Sequence, residues 1–168
     1  AIFPAWMILQ MVLLAPAGAT TALFALGVRQ PEHMGARLRF SLQVSLLVSI
    51  AAAVVMVAIL GPLLSFLNPV YPELGGSSLK FIGFGGIGML FKQHYMAAMR
   101  FQGRMLAATP LLALGGLAEV GCAAFGGYHG GATGFVWGWL VGVNVLTVLT
   151  LPELRRVMGG PAPEREAS

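Results

Sequence analysis

The sequence contains no aspartate, only two lysines (Lys80 and Lys92) and one cysteine. Metal-assisted transfer chemistry needs clustered carboxylates to hold its ion, and six scattered glutamates give no such cluster. One thiol, Cys122, cannot close an intrachain disulfide or build a cysteine-rich metal site, and its apolar neighbourhood predicts a buried structural thiol. Charge is scarce overall. At 10% charged and 57% hydrophobic residues, with a mean hydropathy of +0.82, the 168-residue chain has more apolar side chains than one water-soluble core could hide. The solvent it implies is a lipid bilayer. It starts without methionine in the middle of an apolar pattern, AIFPAWMILQ, which predicts a piece of a longer chain.

A bilayer core about 30 Å thick is crossed by about 20 apolar residues in a helix. Five stretches have that length: Ala5 to Val28, Ser41 to Phe66, Leu79 to Met99, Met105 to Phe125 and Gly134 to Leu151. The connections between them, such as RQPEHMGARLR and LNPVYPELGGSS, carry turn residues and charge. Long runs of Leu, Val, Ala and Met lack the alternation of a membrane barrel, so the expected class is an all-α polytopic bundle with five transmembrane helices. Residues 1–158 form its body, and the polar end at 159–168 is expected to be disordered.

Arginine sorts to alternate connections. Arg29, Arg37 and Arg39 lie between the first and second spans, Arg100 and Arg104 between the third and fourth, and Arg155, Arg156 and Arg165 after the fifth. The other two connections have no arginine or lysine before Lys80, which opens the third span. Cationic loops are retained in the cytoplasm, so the chain is expected to begin outside and end inside. The net charge of +4 then reflects topology and contact with anionic lipid headgroups rather than nucleic-acid binding.

Gly83-Phe84-Gly85-Gly86-Ile87-Gly88 fits the pattern G-x-G-x-x-G of dinucleotide-binding domains. The fit fails on context. No strand precedes it, and about 20 residues on, where ribose needs an acid, stands Gly103. In a membrane helix the same glycines thin one wall for close packing, and Gly134, Gly138 and Gly142, four residues apart, predict a smooth stripe for a neighbouring helix. Pro16 and Pro110 are expected to free carbonyls and bend their rods.

Ionisable residues inside spans are costly and normally face a cavity or a partner. Lys92 is expected in the third of the bilayer nearest the arginines, either snorkelling to headgroups or joining Arg100 and Arg104 in a cationic mouth that attracts phosphate. Glu119 is the only acid within a predicted span. It is expected either to pair with Lys80 at the opposite end or to serve as a proton-coupling carboxylate. His94 and His129 lack further ligands at metal spacing and are read as interface residues. Ser41, Ser45 and Ser49 give the second span a mildly polar face, and Asn144 is similarly ambiguous between packing and a polar passage.

The order of these features resembles the C-terminal part of polysaccharide-biosynthesis flippases, of the superfamily that also holds multidrug and toxic compound extruders. The resemblance covers nearly the whole chain and rests on GPLLSFLNPVY, on the R-x-x-G-R turn from Arg100 to Arg104, and on the glycine-rich approach from Tyr128 into the last helix. It implies the last five of twelve helices, with a missing N-terminal lobe as partner, in a bacterial inner membrane with the C-terminus cytoplasmic. The implied cargo is a lipid-linked oligosaccharide on polyprenyl pyrophosphate, held by Lys92, Arg100 and Arg104, with Glu119 and Lys80 as coupling or ion-pair candidates. No enzyme activity, cofactor, metal or nucleic acid is implied. Efflux of cationic drugs by the same fold, a membrane enzyme acting on a polyprenyl substrate, and a non-transporting scaffold are the competing functions.

Overall fold

A computed structural model describes residues 6–8, 10–11, 18, 34–70 and 77–159. The first predicted span, Pro16, and the end at 160–168 therefore lie almost wholly outside the described residues. Helix α1 (Met34–Leu67) carries the second span. It stops where Asn68 precedes Pro69, since a residue before proline avoids the helical region. The Asn68 side chain accepts the Val70 N–H at 3.0 Å and closes the turn. After the break comes a 3-10 segment (Ser77–Phe84), which runs directly into α2 (Gly85–Phe101).

The end of α2 explains the R-x-x-G-R turn. Gly103 takes φ of +69°, the left-handed region that glycine enters without a Cβ penalty. Its N–H donates to the Arg100 carbonyl at 3.1 Å, and the Arg104 N–H donates to that of Met99 at 2.9 Å. These two bonds satisfy carbonyls that a helix end otherwise leaves open, and the chain reverses into α3 (Met105–Gly159).

At 55 residues α3 would measure about 80 Å as a straight rod, far more than a bilayer. It is instead two arms, 105–129 and 132–159, broken where Gly130 and Gly131 leave helical dihedrals. The arms correspond to the fourth and fifth predicted spans. Pro110, the sixth residue of α3, leaves the Leu106 carbonyl without its i+4 N–H, while the dihedrals stay helical there and the reversal falls at the two glycines.

Glycine sets how closely the arms run. A Cβ on Gly138 would strike the Cys122 carbonyl, and Gly126 and Gly134 would each strike the other's carbonyl. One on Gly142 would lie 2.7 Å from the Glu119 Cα. These contacts pair positions whose numbers rise on one arm as they fall on the other, so the arms are antiparallel, and the predicted glycine stripe is their seam. Helix α2 packs along the second arm in the same direction: Gly85 faces Trp139, and a Cβ on Gly88 would lie 3.1 Å from Val143. Against α1 it runs antiparallel, with Gly83 on Ala53 and Ser41 on His94.

Two apolar clusters result. One joins Leu60, Ile82, Ala123 and Trp139, with Trp6 edge-on to Trp139 at 4.9 Å between ring centres. The other joins Leu38, Leu90, Tyr95, Ala108 and Leu154. Gly35 at the start of α1 sits against the Met158 carbonyl, so Arg37, Arg39, Arg100, Arg104, Arg155 and Arg156 all gather at the end of the second cluster. Outward, large apolar side chains stand uncovered, Leu106 at 91% and Phe66 at 87% exposure, which only lipid or further protein would accommodate. The described residues contain no strand, and the architecture is an all-α membrane bundle.

Candidate functional site: a charged pair between α2 and the α3 hairpin

Between the two clusters the glycine seam brings Glu119, on the first arm, level with Gly88 of α2. One turn further along α2 is Lys92. Its Nζ donates to Glu119 Oε1 at 2.9 Å, with side-chain exposures of 27% and 16%. Two charges at this separation attract strongly where dielectric is low, and removing either alone leaves the other uncompensated, at a cost of about 3–5 kcal/mol.

This pairing corrects the expectation that Glu119 meets Lys80. The first arm runs to residue 129 rather than 125, so Glu119 lies about 15 Å from the hairpin tip instead of about 9 Å. The 3-10 segment meanwhile rises about 2.0 Å per residue and carries Lys80 away from it, toward α1. There the Lys80 stem covers Gly61, 3.7 Å from the place of a Cβ. Lys92 likewise does not snorkel toward headgroups; its ammonium turns to the carboxylate.

The other two candidate cations stand apart from Lys92. Arg100 is exposed in the last turn of α2, about 12 Å further along the axis. Arg104 donates to Glu153 Oε1 at 2.9 Å, and Arg156 lies 3.9 Å from the other oxygen of that carboxylate. Glu153 therefore ties the turn between α2 and α3 to the second arm. Sequence reasoning passed over it because it falls beyond the last predicted span. Arginine at both i+3 and in the facing turn was the available signal.

A second polar contact joins α1 to α2. His94 is fully buried. Its Nδ1 lies 3.0 Å from the Leu90 carbonyl, which can only accept, so Nδ1 carries the hydrogen. In the neutral ring Nε2 then accepts from Ser41 Oγ at 3.2 Å. His94 is thus an interface residue, as expected, while its serine partner went unforeseen. Ser45 and Ser49 are buried along the same face. Asn144 donates to the Leu140 carbonyl at 2.7 Å and Thr147 bridges to the Gly88 carbonyl at 3.4 Å, so both serve the packing of the second arm. His129 lies against Phe125, ring centres 4.5 Å apart and planes tilted by 59°, beside a groove of about 570 Å³ along the hairpin's glycines, away from the charges. Among the described residues no group of three His, Cys, Asp or Glu side chains could hold a metal ion.

Long apolar helices with uncovered lipid-compatible faces, arginines at one end and a compensated charge pair within describe a multi-pass membrane helix bundle. Residues 1–121 match the MatE family, and the chain belongs to it; its members are membrane transporters rather than enzymes. No curated protein and no solved structure matches.

Proposed function

We propose that this chain is part of a transporter that flips a lipid-linked oligosaccharide from the cytoplasmic to the outer leaflet of a bacterial cell membrane, by rocking two lobes about a mid-membrane site. Residues 1–158 supply part of the C-terminal lobe, residues 159–168 a cytoplasmic tail, and the remainder of the transporter completes the cavity. The observation that carries the reading is Lys92, a partly exposed ammonium within the bilayer span, followed along the same helix and its turn by Arg100 and Arg104. Phosphate oxygens are the natural partners of such donors. Arg100 would meet the pyrophosphate first, with Arg104 exchanging it against Glu153, and Lys92 would receive it deeper in the membrane.

Efflux of cationic drugs by the same fold is the second reading. It calls for acids in the cavity, and Glu119 is the one described acid deep in the bundle, set against Lys92, Arg100 and Arg104 on the facing helix and its turn. The test is Lys92→Ala with Arg100→Ala in the full-length protein. Loss of surface polysaccharide with drug accumulation unchanged supports the flippase. Unchanged polysaccharide export removes the phosphate role, and raised drug accumulation moves the assignment to efflux.

A further inference from the structure

The arginine end of the bundle carries more positive charge than its one described carboxylate balances. Glu153 takes Arg104 and lies near Arg156, while among the described residues Arg39, Arg100 and Arg155 have no ion-pair partner. Two of these three stand together. Helix α1 runs antiparallel to the second arm of α3, and a Cβ on Gly35 would lie 3.1 Å from the Met158 carbonyl oxygen, which fixes their register. Arg39, one turn on from Gly35, is therefore level with Arg155, about one turn back from Met158.

They also share a flank. Each directly follows a leucine with no exposed surface, Leu38 or Leu154, and both leucines belong to the second apolar cluster. One residue turns a helix by about 100°, and because the two helices are antiparallel, that step carries both arginines to the same side. It is the side opposite α2, which meets α1 at Ser41 and the arm at Trp139 and Val143. Both arginines are exposed there. Arg155 also lies about 200° around the helix from Glu153, away from that carboxylate. Toward the middle of the membrane the flank turns apolar. Ile50 is about three turns beyond Arg39, and Val148 and Val141 are about two and four turns before Arg155, at 41%, 69% and 57% exposure.

We propose that Arg39 and Arg155 form a binding site for an anionic phospholipid of the leaflet at the arginine end, with its phosphate between the two guanidinium groups and an acyl chain along Ile50, Val148 and Val141. The site goes beyond the transport reading, since it uses none of Lys92, Arg100 and Arg104 and holds for any cargo. Guanidinium groups match phosphate oxygens with paired donors. A choline headgroup cancels the phosphate charge, and a free phosphate lacks the chain, so an anionic lipid alone satisfies both halves of the site. Bound there, it ties the start of α1 to the end of α3, beside the contact of Gly35 with Met158.

Near a membrane surface each arginine strengthens binding of anionic lipid by about fivefold, so loss of both should weaken it by about 25-fold. The experiment titrates the purified full-length transporter with phosphatidylglycerol and follows bound lipid by native mass spectrometry. Arg39→Gln with Arg155→Gln is compared with Arg100→Gln with Arg156→Gln, which removes the same charge from the same end. Expected is the full loss in the first pair and a loss of at most a few-fold in the second. Equal losses in the two pairs mean that net charge alone attracts the lipid, and no loss in the first means that other protein covers the flank; either result overturns the site. Phosphatidylcholine binding as tightly as phosphatidylglycerol would overturn it too. Glycerol phosphate supplies the headgroup without chains, and if it displaces the lipid at equal concentration, the site is one for free anions and the lipid assignment falls. Should a double variant fail to fold, Arg39→Gln and Arg155→Gln decide singly: a loss of about fivefold in each supports the site, and unchanged binding refutes it.

Discussion

Glycine at the seam of the α3 hairpin is a quantitative claim, because glycines on the same hairpin differ in what surrounds them. A Cβ on Gly138 would meet the Cys122 carbonyl and lie 3.3 Å from the Ala123 Cα. Both obstacles are backbone, so no rotamer change relieves them and the arms must part. Overpacking of this kind costs about 1–3 kcal/mol, against which alanine returns about 0.8–1 kcal/mol of helix propensity. Gly121, on the facing arm, has nothing within 4 Å of its would-be Cβ. Gly121→Ala therefore keeps the propensity gain and incurs no clash. The two variants should differ by about 1–3 kcal/mol, with Gly138→Ala the less stable. At about 2–4 °C per kcal/mol for a protein of this size, their melting temperatures should separate by several degrees in one detergent at one heating rate. Equal melting temperatures would refute the close-packed seam.

Two further outcomes follow from the backbone and the weave. Gly131 has φ of +57° and ψ of −141° with open space around it, so Gly131→Ala should lose about 1–3 kcal/mol to backbone strain alone, measured by the same melting assay against Gly116→Ala, which has neither strain nor clash. In a Cys122→Ser background, Gln102→Cys and Gly130→Cys should react with a membrane-impermeant maleimide from opposite faces of the membrane, Gly130→Cys in intact cells and Gln102→Cys only after the membrane is opened; labelling of both from one face would undo the orientation.

Most of the architecture could be read from periodicity and arginine, because length and hydropathy report the bilayer directly. The second to fifth spans reappear as α1, the 3-10 segment with α2, and the two arms of α3. What failed was depth. Boundaries read from polar residues placed the end of the fourth span at Phe125, whereas the helix continues through Gly126 and Gly127 because those glycines are needed at the seam. Four residues of helix amount to about 6 Å, enough to move Glu119 from the level of Lys80 toward that of Lys92. Pairings across the bundle, such as Ser41 with His94, depend on register between helices 53 residues apart, and a single sequence carries no direct record of it.

The seam and the charged pair are joined at one residue, which allows packing to be tested through electrostatics. Gly142 faces Glu119 so closely that a Cβ there would lie 2.7 Å from the Glu119 Cα and 2.9 Å from the Ala118 carbonyl. Gly142→Ala must push the first arm away by several tenths of an ångström, and the carboxylate moves with it. A charge-assisted hydrogen bond at 2.9 Å loses strength quickly on lengthening, since both its directionality and its exclusion of other groups depend on contact. The coupling between Lys92→Ala and Glu119→Ala in a double-mutant cycle, expected at about 1–3 kcal/mol in wild type for a contacting charged pair, should therefore shrink in the Gly142→Ala background. Gly116→Ala, on the same arm but in open space, should leave the coupling unchanged. A seam that merely stabilises the bundle predicts lower melting temperature with the coupling intact; a seam that sets the position of Glu119 predicts that both fall together.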